Sequence, residues 1–287
     1  MTMMRLHIAT CRPLPEPDVD ESLLLGALHE AGIDARMVPW RDDIDSVDTT
    51  PTIIRSTWDY IHHVDNFVRW AEAASARAPL WNSIDVIRRN VHKGYLLDLQ
   101  SHGIPVTPTI LVRRGDSRDL VDTLAESRWM DVVIKPAVGA GSFETHRLRA
   151  DDPGCNGLFS KLCAERDLLI QPYLPSVEGH GERALVWIDG EFTHAVRKSP
   201  RFADGAESVS EALPISSAER ALGHAALRDV ADQLLYARVD VALGFDGTPV
   251  LMELELIEPS LFLLQNPRAL QRLVEGIRRR LHSAVQR

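Results

Sequence analysis

At 287 residues, 45% of them hydrophobic, the chain carries enough apolar material for a sizeable core, in one large domain or two to three small ones. Its formal charge of −9 argues against a surface built to wrap nucleic acid, yet a few lysines or helix-terminal amides still suffice to hold an anionic ligand. Cys11, Cys155 and Cys163 supply neither a metal-ligand spacing nor an even disulfide set, and no leader or long apolar span is visible, so a cytoplasmic protein without a membrane partner is expected.

The segment "RLHIATC" is expected to be a first strand, "DESLLLGALHEAG" a helix ended by Gly32, "IDARMVPW" a second strand and "TIIRSTW" a third, with "HHVDNFVRWAEAASAR" as the next helix. This alternation predicts a small parallel sheet whose ligand-facing loops lie past the strand ends. "RSTWDY" falls at such an end and combines an arginine able to hold a carboxylate, an acid able to receive an amino group, and two aromatic walls. Arg55, Ser56, Trp58, Asp59 and Tyr60 are therefore candidate contacts to a small amino-acid-like substrate. The competing expectation is that the aromatics cover the sheet end and Asp59 caps the following helix.

Beyond "PLWNSIDVIRRNVHKGYLLDLQSHG", the proline-bearing "IPVTPTILV" marks a first domain boundary around residues 83 to 105. Lys93 stands at the start of an amphipathic helix, where an ammonium opposes the helix dipole unless an anion is also bound; plain solvent exposure is the alternative. "DVVIKPAVGAGSFETHRL" predicts a strand, a small-residue loop and a second strand. Behind Lys135, the small residues Gly139, Gly141 and Ser142 leave room for backbone amides and a hydroxyl to approach phosphate. The order is not that of a Walker A loop, and a surface lysine before a turn has the same appearance. After "DLLIQPYL", the run "RALVWIDGEFTHAVRK" predicts a hairpin turning at Asp189-Gly190. Arg197 and Lys198 at its end fall on opposite faces, so one of them is expected to point inward, where a cation offsets charge during phosphoryl transfer.

A helix near 217 to 235, a strand at "ARVDVALGF", a turn at Asp246-Gly247, the strand within "VLMELELIEPSLF" and a terminal helix from about 267 to 284 complete the chain. In the last strand, alternation places Glu253 and Glu255 on one face and Met252, Leu254 and Leu256 on the other, while Asp240 in the partner strand is able to face the two acids. Oxygen donors of this kind suit magnesium, or manganese in its place; a solvated sheet edge is the alternative. Glu258 stands open between metal ligand, substrate contact and surface group.

Taken in order, "HKGYLLDLQSHGIPVTPT", "VVIKPAVGAGSFETHRL", "LLIQPYLPSVEGHGERALVWIDGEFTHAVRK" and "RVDVALGFDGTPVLMELELIEPSLF" resemble the ATP-grasp superfamily, over roughly residues 85 to 287. Within it the chain resembles the RimK and glutathione-synthetase-like ligases, above all the cycloserine-forming O-ureidoserine cyclo-ligase group. The resemblance implies an α/β chain with α+β grasp lobes. Its units would be a small parallel-sheet domain on the substrate side (1–90), a central helix and small grasp lobe (91–174), and a large grasp lobe with the metal site (175–287).

The resemblance also implies ATP and Mg2+ as cofactors, with Lys93 and Lys135 as nucleotide-binding lysines and Gly139 through Ser142 as a phosphate-covering loop. Gln171, Pro172, Tyr173 and Leu174 correspond to the adenine hinge, Glu178 to a ribose acceptor, and Arg197 or Lys198 to the basic residue beside the transferred phosphate. Asp240, Glu253 and Glu255 correspond to magnesium ligands, with Glu255 where many relatives carry asparagine. The implied activity is carbon–nitrogen ligation, in which a substrate oxygen, usually of a carboxylate, attacks the γ-phosphate and an amine then displaces phosphate. Cyclisation of an O-ureidoserine-like substrate is the sharper expectation, there with the ureido carbonyl oxygen as the phosphorylated group and the substrate's own amine closing the ring. Intermolecular ligation of amino acids or peptides, and non-catalytic ATP binding, are the alternatives, and a homo-oligomer is left open.

Overall fold

Strands and helices alternate along the first third of the computed structural model, which describes residues 3–41, 48–199 and 208–285. Here β1 (Met4–Thr10), α1 (Glu21–Glu30), β2 (Ile33–Pro39), β3 (Thr52–Ser56), α2 (Val64–Arg77) and β4 (Leu80–Trp81) build a parallel sheet in the order β2-β1-β3-β4. Helices α3 (Ile84–Asn90) and α4 (Tyr95–Ser101) then lead out of it. A second, antiparallel sheet, ordered β5-β8-β6-β7, combines β5 (Ile110–Val112), β6 (Asp131–Pro136), β7 (His146–Arg149) and β8 (Leu168–Pro172), with α5 (Leu120–Ser127) and α6 (Cys155–Glu165) packed together on it.

After the single turn α7 (Ser176–Gly179), β9 (Glu182–Ile188), β10 (Glu191–Lys198), α8 (Ser217–Leu227), β11 (Tyr236–Leu243), β12 (Pro249–Glu255) and α9 (Pro267–Val285) form the rest. Its strands make a third sheet, antiparallel, in the order β10-β9-β11-β12. Among the described residues no helix is long and apolar enough to cross a membrane.

The sequence expectation of one helix over 217–235 shortens to α8 plus a 3-10 turn at Ala231–Gln233. Leu234 is drawn into the core with Leu222 and Leu227, so packing ends a stretch that is locally helical. Ser216 and Glu219 close a capping box at the start of α8, and Glu219 also pairs with the buried Arg183 at 2.5 Å. Gly223 in α8 faces the Phe192 ring, and a Cβ there would lie 2.4 Å from Phe192 Cζ. Gly223→Ala is therefore expected to destabilise by roughly 1–3 kcal/mol through overpacking, despite alanine's better helix propensity; a urea midpoint equal to or above wild type would contradict it.

One face of the parallel sheet packs on α2 in a cluster nearly its own, with Ala9, Ile54, Phe67, Trp70 and Leu80 joined by Ile257; its other face has no separate core. Leu6, Ile8, Leu28 and Ile53 share one apolar cluster with Val186, Ile188 and Val196 of the third sheet and with Leu273 and Ile277 of α9. The free edge of β12 is likewise occupied. Leu251 exchanges backbone bonds with Pro105 and Thr107 at 2.8 Å each, and the Tyr95 hydroxyl bonds both the N–H and the carbonyl of Leu254 at 2.9 Å. Asn90 serves the Leu254 carbonyl and the Leu256 N–H, and Asn82 donates to the carbonyls of Leu256 and Tyr236 while accepting from Leu235 N–H. Side chains thus take the place of a neighbouring strand.

Candidate active site

Two irregularities in the third sheet decide what faces its concave side. The β9–β10 hairpin turns through Asp189 and Gly190, both at positive φ, as a two-residue turn requires. Glu191 pairs with Ile188 and Phe192 with Trp187, but His194 then pairs with Val186, so Thr193 is an extra residue. That bulge brings Lys198, rather than Arg197, opposite Glu182. In the β11–β12 pair, Asp240 opposes Glu253 and Val241 opposes Leu251, which leaves Met252 extra. Met252, expected on the far face, consequently reaches the same cleft as Glu253 and Glu255, while Leu254 and Leu256 pack into the core. The local kink overrides simple alternation.

The cleft is about 570 Å3 and is lined from both antiparallel sheets, from the α3–α4 connection, and from the loop past β3. Lys93 Nζ lies 3.1 Å from Glu253 Oε1 and Lys135 Nζ 3.3 Å from Glu253 Oε2, so the two lysines clasp one carboxylate from opposite sides. Burial pushes the Glu253 carboxyl up, but these two ammonium groups outweigh it and hold the group below its ordinary range. Lys93 also donates to the Gly139 carbonyl, at the root of the small-residue loop. In that loop Gly141, Ser142 and Glu144 all have positive φ.

Arg238 grips Asp240 with Nε and Nη2, each at 2.8 Å, and reaches Glu255 with the same Nη2. Lys198 Nζ lies 2.8 Å from Asp240 and 2.6 Å from Glu182. Asp240 is buried, which alone would raise its pKa, yet Arg238 and Lys198 drive it well below the carboxylate range. Glu255 goes the other way: burial, with Asp240 and Glu253 beside it, raises it to about 8 against the pull of Arg238.

Among the described residues no three acidic, histidine or cysteine side chains converge as a ready-made metal cage. The expected carboxylate triad is instead a set of ion pairs on one sheet face, because closely spaced buried acids take the nearest cations.

At the far end of the cleft, Gln171 is buried and donates to Thr109 Oγ1 at 2.9 Å, beside Pro172, Tyr173 and Leu174, which also line the wall. Glu178 does not line it. Its carboxylate accepts from the Tyr173 hydroxyl at 2.7 Å and from Arg147 at 3.0 Å.

The substrate-side expectations divide. Trp58, Asp59 and Tyr60 line the cleft from a 3-10 turn at Trp58–His62. Arg55 and Ser56 lie within β3 and not past its end, so they are buried behind it. Arg55 sits over the Tyr236 ring, 5.2 Å from its centroid, and Ser56 Oγ bonds Thr10 Oγ1 at 2.8 Å. Asp59 is engaged by Trp40 Nε1 at 2.6 Å and Arg41 at 3.3 Å, which leaves it a wall residue and not an open amine acceptor. Arg197 is exposed, with its stem against Gly181.

Sequence reasoning overlooked Arg238 and Glu182. Arg238 was within reach, since it stands two positions before Asp240 in one strand and must share its face. Glu182 required the Thr193 bulge to be known.

Two antiparallel sheets gripping a cleft lined by lysines and carboxylates are the architecture of an ATP-grasp ligase. Residues 6–82 match the family model "D-cycloserine synthetase DcsG, N-terminal domain". The chain is 31% identical over 284 residues to the cycloserine biosynthesis protein DcsG of Streptomyces lavendulae, covering 92% of this chain and 94% of that one. The crystal structure of D-cycloserine synthetase DcsG superposes with a TM-score of 0.85 at 30% identity, over 96% of this chain and 99% of that one. The ATP-grasp ligase PsnB, in complex with a minimal precursor, Mg and ADP, shares the fold at a TM-score of 0.63 and 15% identity, with 98% of each chain covered. The chain belongs to the D-cycloserine synthetase family of ATP-dependent ligases.

Proposed function

We propose that the chain is an ATP- and magnesium-dependent cyclo-ligase, activating the carboxylate of a small amino acid of the O-ureidoserine type and closing it through a nitrogen of the same molecule. The observation that carries this reading is the continuity of one cleft from Gln171–Leu174, past the lysine-clasped Glu253, to Trp58 and Tyr60. That span suits a nucleotide and a small substrate held end to end.

In this reading residues 1–90 supply the substrate side, 91–174 the nucleotide-binding lysines and hinge, and 175–287 the acidic face. Gln171, Pro172, Tyr173 and Leu174 hold the adenine, with Met252 as an added apolar contact; Glu178, outside the lining, reaches the ribose only on release from Tyr173 and Arg147. Lys93, Lys135 and the loop from Gly139 to Ser142 take the phosphates. Asp240, Glu253 and Glu255 fit magnesium, which is commonly held by one or two carboxylates together with phosphate oxygens. Magnesium supplies charge neutralisation on the nucleotide when bound.

The substrate carboxylate oxygen bonds to the γ-phosphorus as the bond to the ADP oxygen breaks. The nitrogen then bonds to the carboxyl carbon while the carbon–oxygen bond to phosphate breaks, and the proton lost from nitrogen leaves on the departing phosphate. Lys198 and Arg238 offset the charge that gathers on the transferred group, as fixed cations in a dry cleft do. Catalysis rests on positioning and electrostatics, with no protein nucleophile.

Magnesium-dependent ADP release should be measured with O-ureidoserine stereoisomers, single amino acids, dipeptides and amino-acid pairs, with mass detection of products. Release with one O-ureidoserine stereoisomer alone and a cyclic product is the expected result. Release only when an acid and a separate amine are both present, with a joined product, would replace cyclisation by intermolecular ligation.

A further inference from the structure

Glu258 follows β12 by three residues and lines the substrate end of the cleft while only 9% exposed. The turn that follows β3 meets it at two points: the Trp58 indole donates to its backbone carbonyl at 3.2 Å, and the buried Tyr60 hydroxyl stands beside its carboxylate. Asp240, Glu253 and Glu255 each have a lysine or arginine within ion-pair distance; among the described residues Glu258 has none. The charged groups that act on it most strongly are Lys93, Glu253 and Arg238, all already engaged with other partners. Burial, with Glu253 nearby, lifts its pKa to about 7, although Lys93 and the Tyr60 hydroxyl pull the other way.

A buried carboxylate without a cation is costly unless the ligand brings one. Resting on the cyclo-ligase reading, we propose that Glu258 is the receptor for the substrate's α-ammonium group. It thereby selects amino acids over plain carboxylic acids and turns the substrate carboxylate toward the nucleotide end. Trp58 and Tyr60 act as its positioning residues, which gives "RSTWDY" a role in substrate recognition through its two aromatic residues and not through Arg55 or Asp59.

Calorimetric binding of O-ureidoserine and of its deamino analogue, with ADP and magnesium present, tests this in wild type, Glu258→Gln and Glu258→Asp. Wild type is expected to favour the amino compound on the order of 100-fold, the scale of a lost buried charge partner. In Glu258→Gln the preference should collapse to within a few-fold of unity, with ADP affinity unchanged, and Glu258→Asp should restore most of it. A preference equal in wild type and Glu258→Gln overturns the proposal while leaving the cyclo-ligase reading intact. Wild type binding neither compound overturns both.

Discussion

Glu253→Gln is expected to lower turnover by roughly 100- to 1,000-fold, the range for removing one preorganised electrostatic element from an active site. Glu253 is the point at which both lysines of the nucleotide end meet the acidic strand, and it stands directly opposite Asp240. An amide keeps the shape but neither neutralises two ammonium groups nor offers a charged oxygen to magnesium. Two opposite shifts should accompany the loss. The magnesium concentration needed for half-maximal ADP release should rise, because a ligand is gone. ATP binding measured without magnesium should tighten, because Lys93 and Lys135 no longer have to leave a counter-ion to meet phosphate. Turnover within threefold of wild type, in protein of unaltered melting temperature, would remove Glu253 from the machinery.

Asn82→Ala should cost about 3 kcal/mol of stability. The Asn82 side chain is 1% exposed and makes three hydrogen bonds at the third sheet: Nδ2 donates to Tyr236 and Leu256 carbonyls, and Oδ1 accepts from Leu235 N–H, all at 2.7 Å. Truncation leaves three buried backbone groups without partners, and each such group costs about 1–3 kcal/mol before local relaxation. The core shared across one face of the parallel sheet means that the loss should appear as a single cooperative transition moved to lower urea, not as early release of that sheet. A midpoint unchanged from wild type would show that water or a shifted backbone replaces all three bonds.

How much of this was legible beforehand depended on regularity. The parallel sheet followed from strand–helix alternation, and the acids of β12 stood out because charge at every second position of an apolar run is expensive. The two bulges were invisible. Neither Thr193 nor Met252 is a glycine or proline, so nothing local marks the extra residue, yet one insertion turned Lys198 inward and the other brought Met252 into the cleft. Arg55 misled for a different reason. A guanidinium at the end of a strand can serve a ligand, but here it lies buried over the Tyr236 ring with Nη1 lacking a hydrogen-bond partner, and only the residues beyond the strand end reach the cleft. The division of labour at Glu258 depends on Trp58 and Tyr60, 200 residues away for the first of them, and no spacing rule spans that distance.

The occupied edge of β12 has a further bearing, on self-association. A seven-residue strand at a sheet margin normally presents a row of open amides and carbonyls on which another chain can dock. Backbone at Pro105 and Thr107 takes the groups of Leu251, and around Leu254 and Leu256 the side chains of Tyr95, Asn90 and Asn82 occupy them, where a side chain cannot be extended into a further strand as a backbone can. The molecule thereby keeps an apolar, acid-bearing strand next to its cleft without offering it as a template for β-addition. Loss of these three polar side chains would unseal the one strand that a ligase of this kind most needs to keep single.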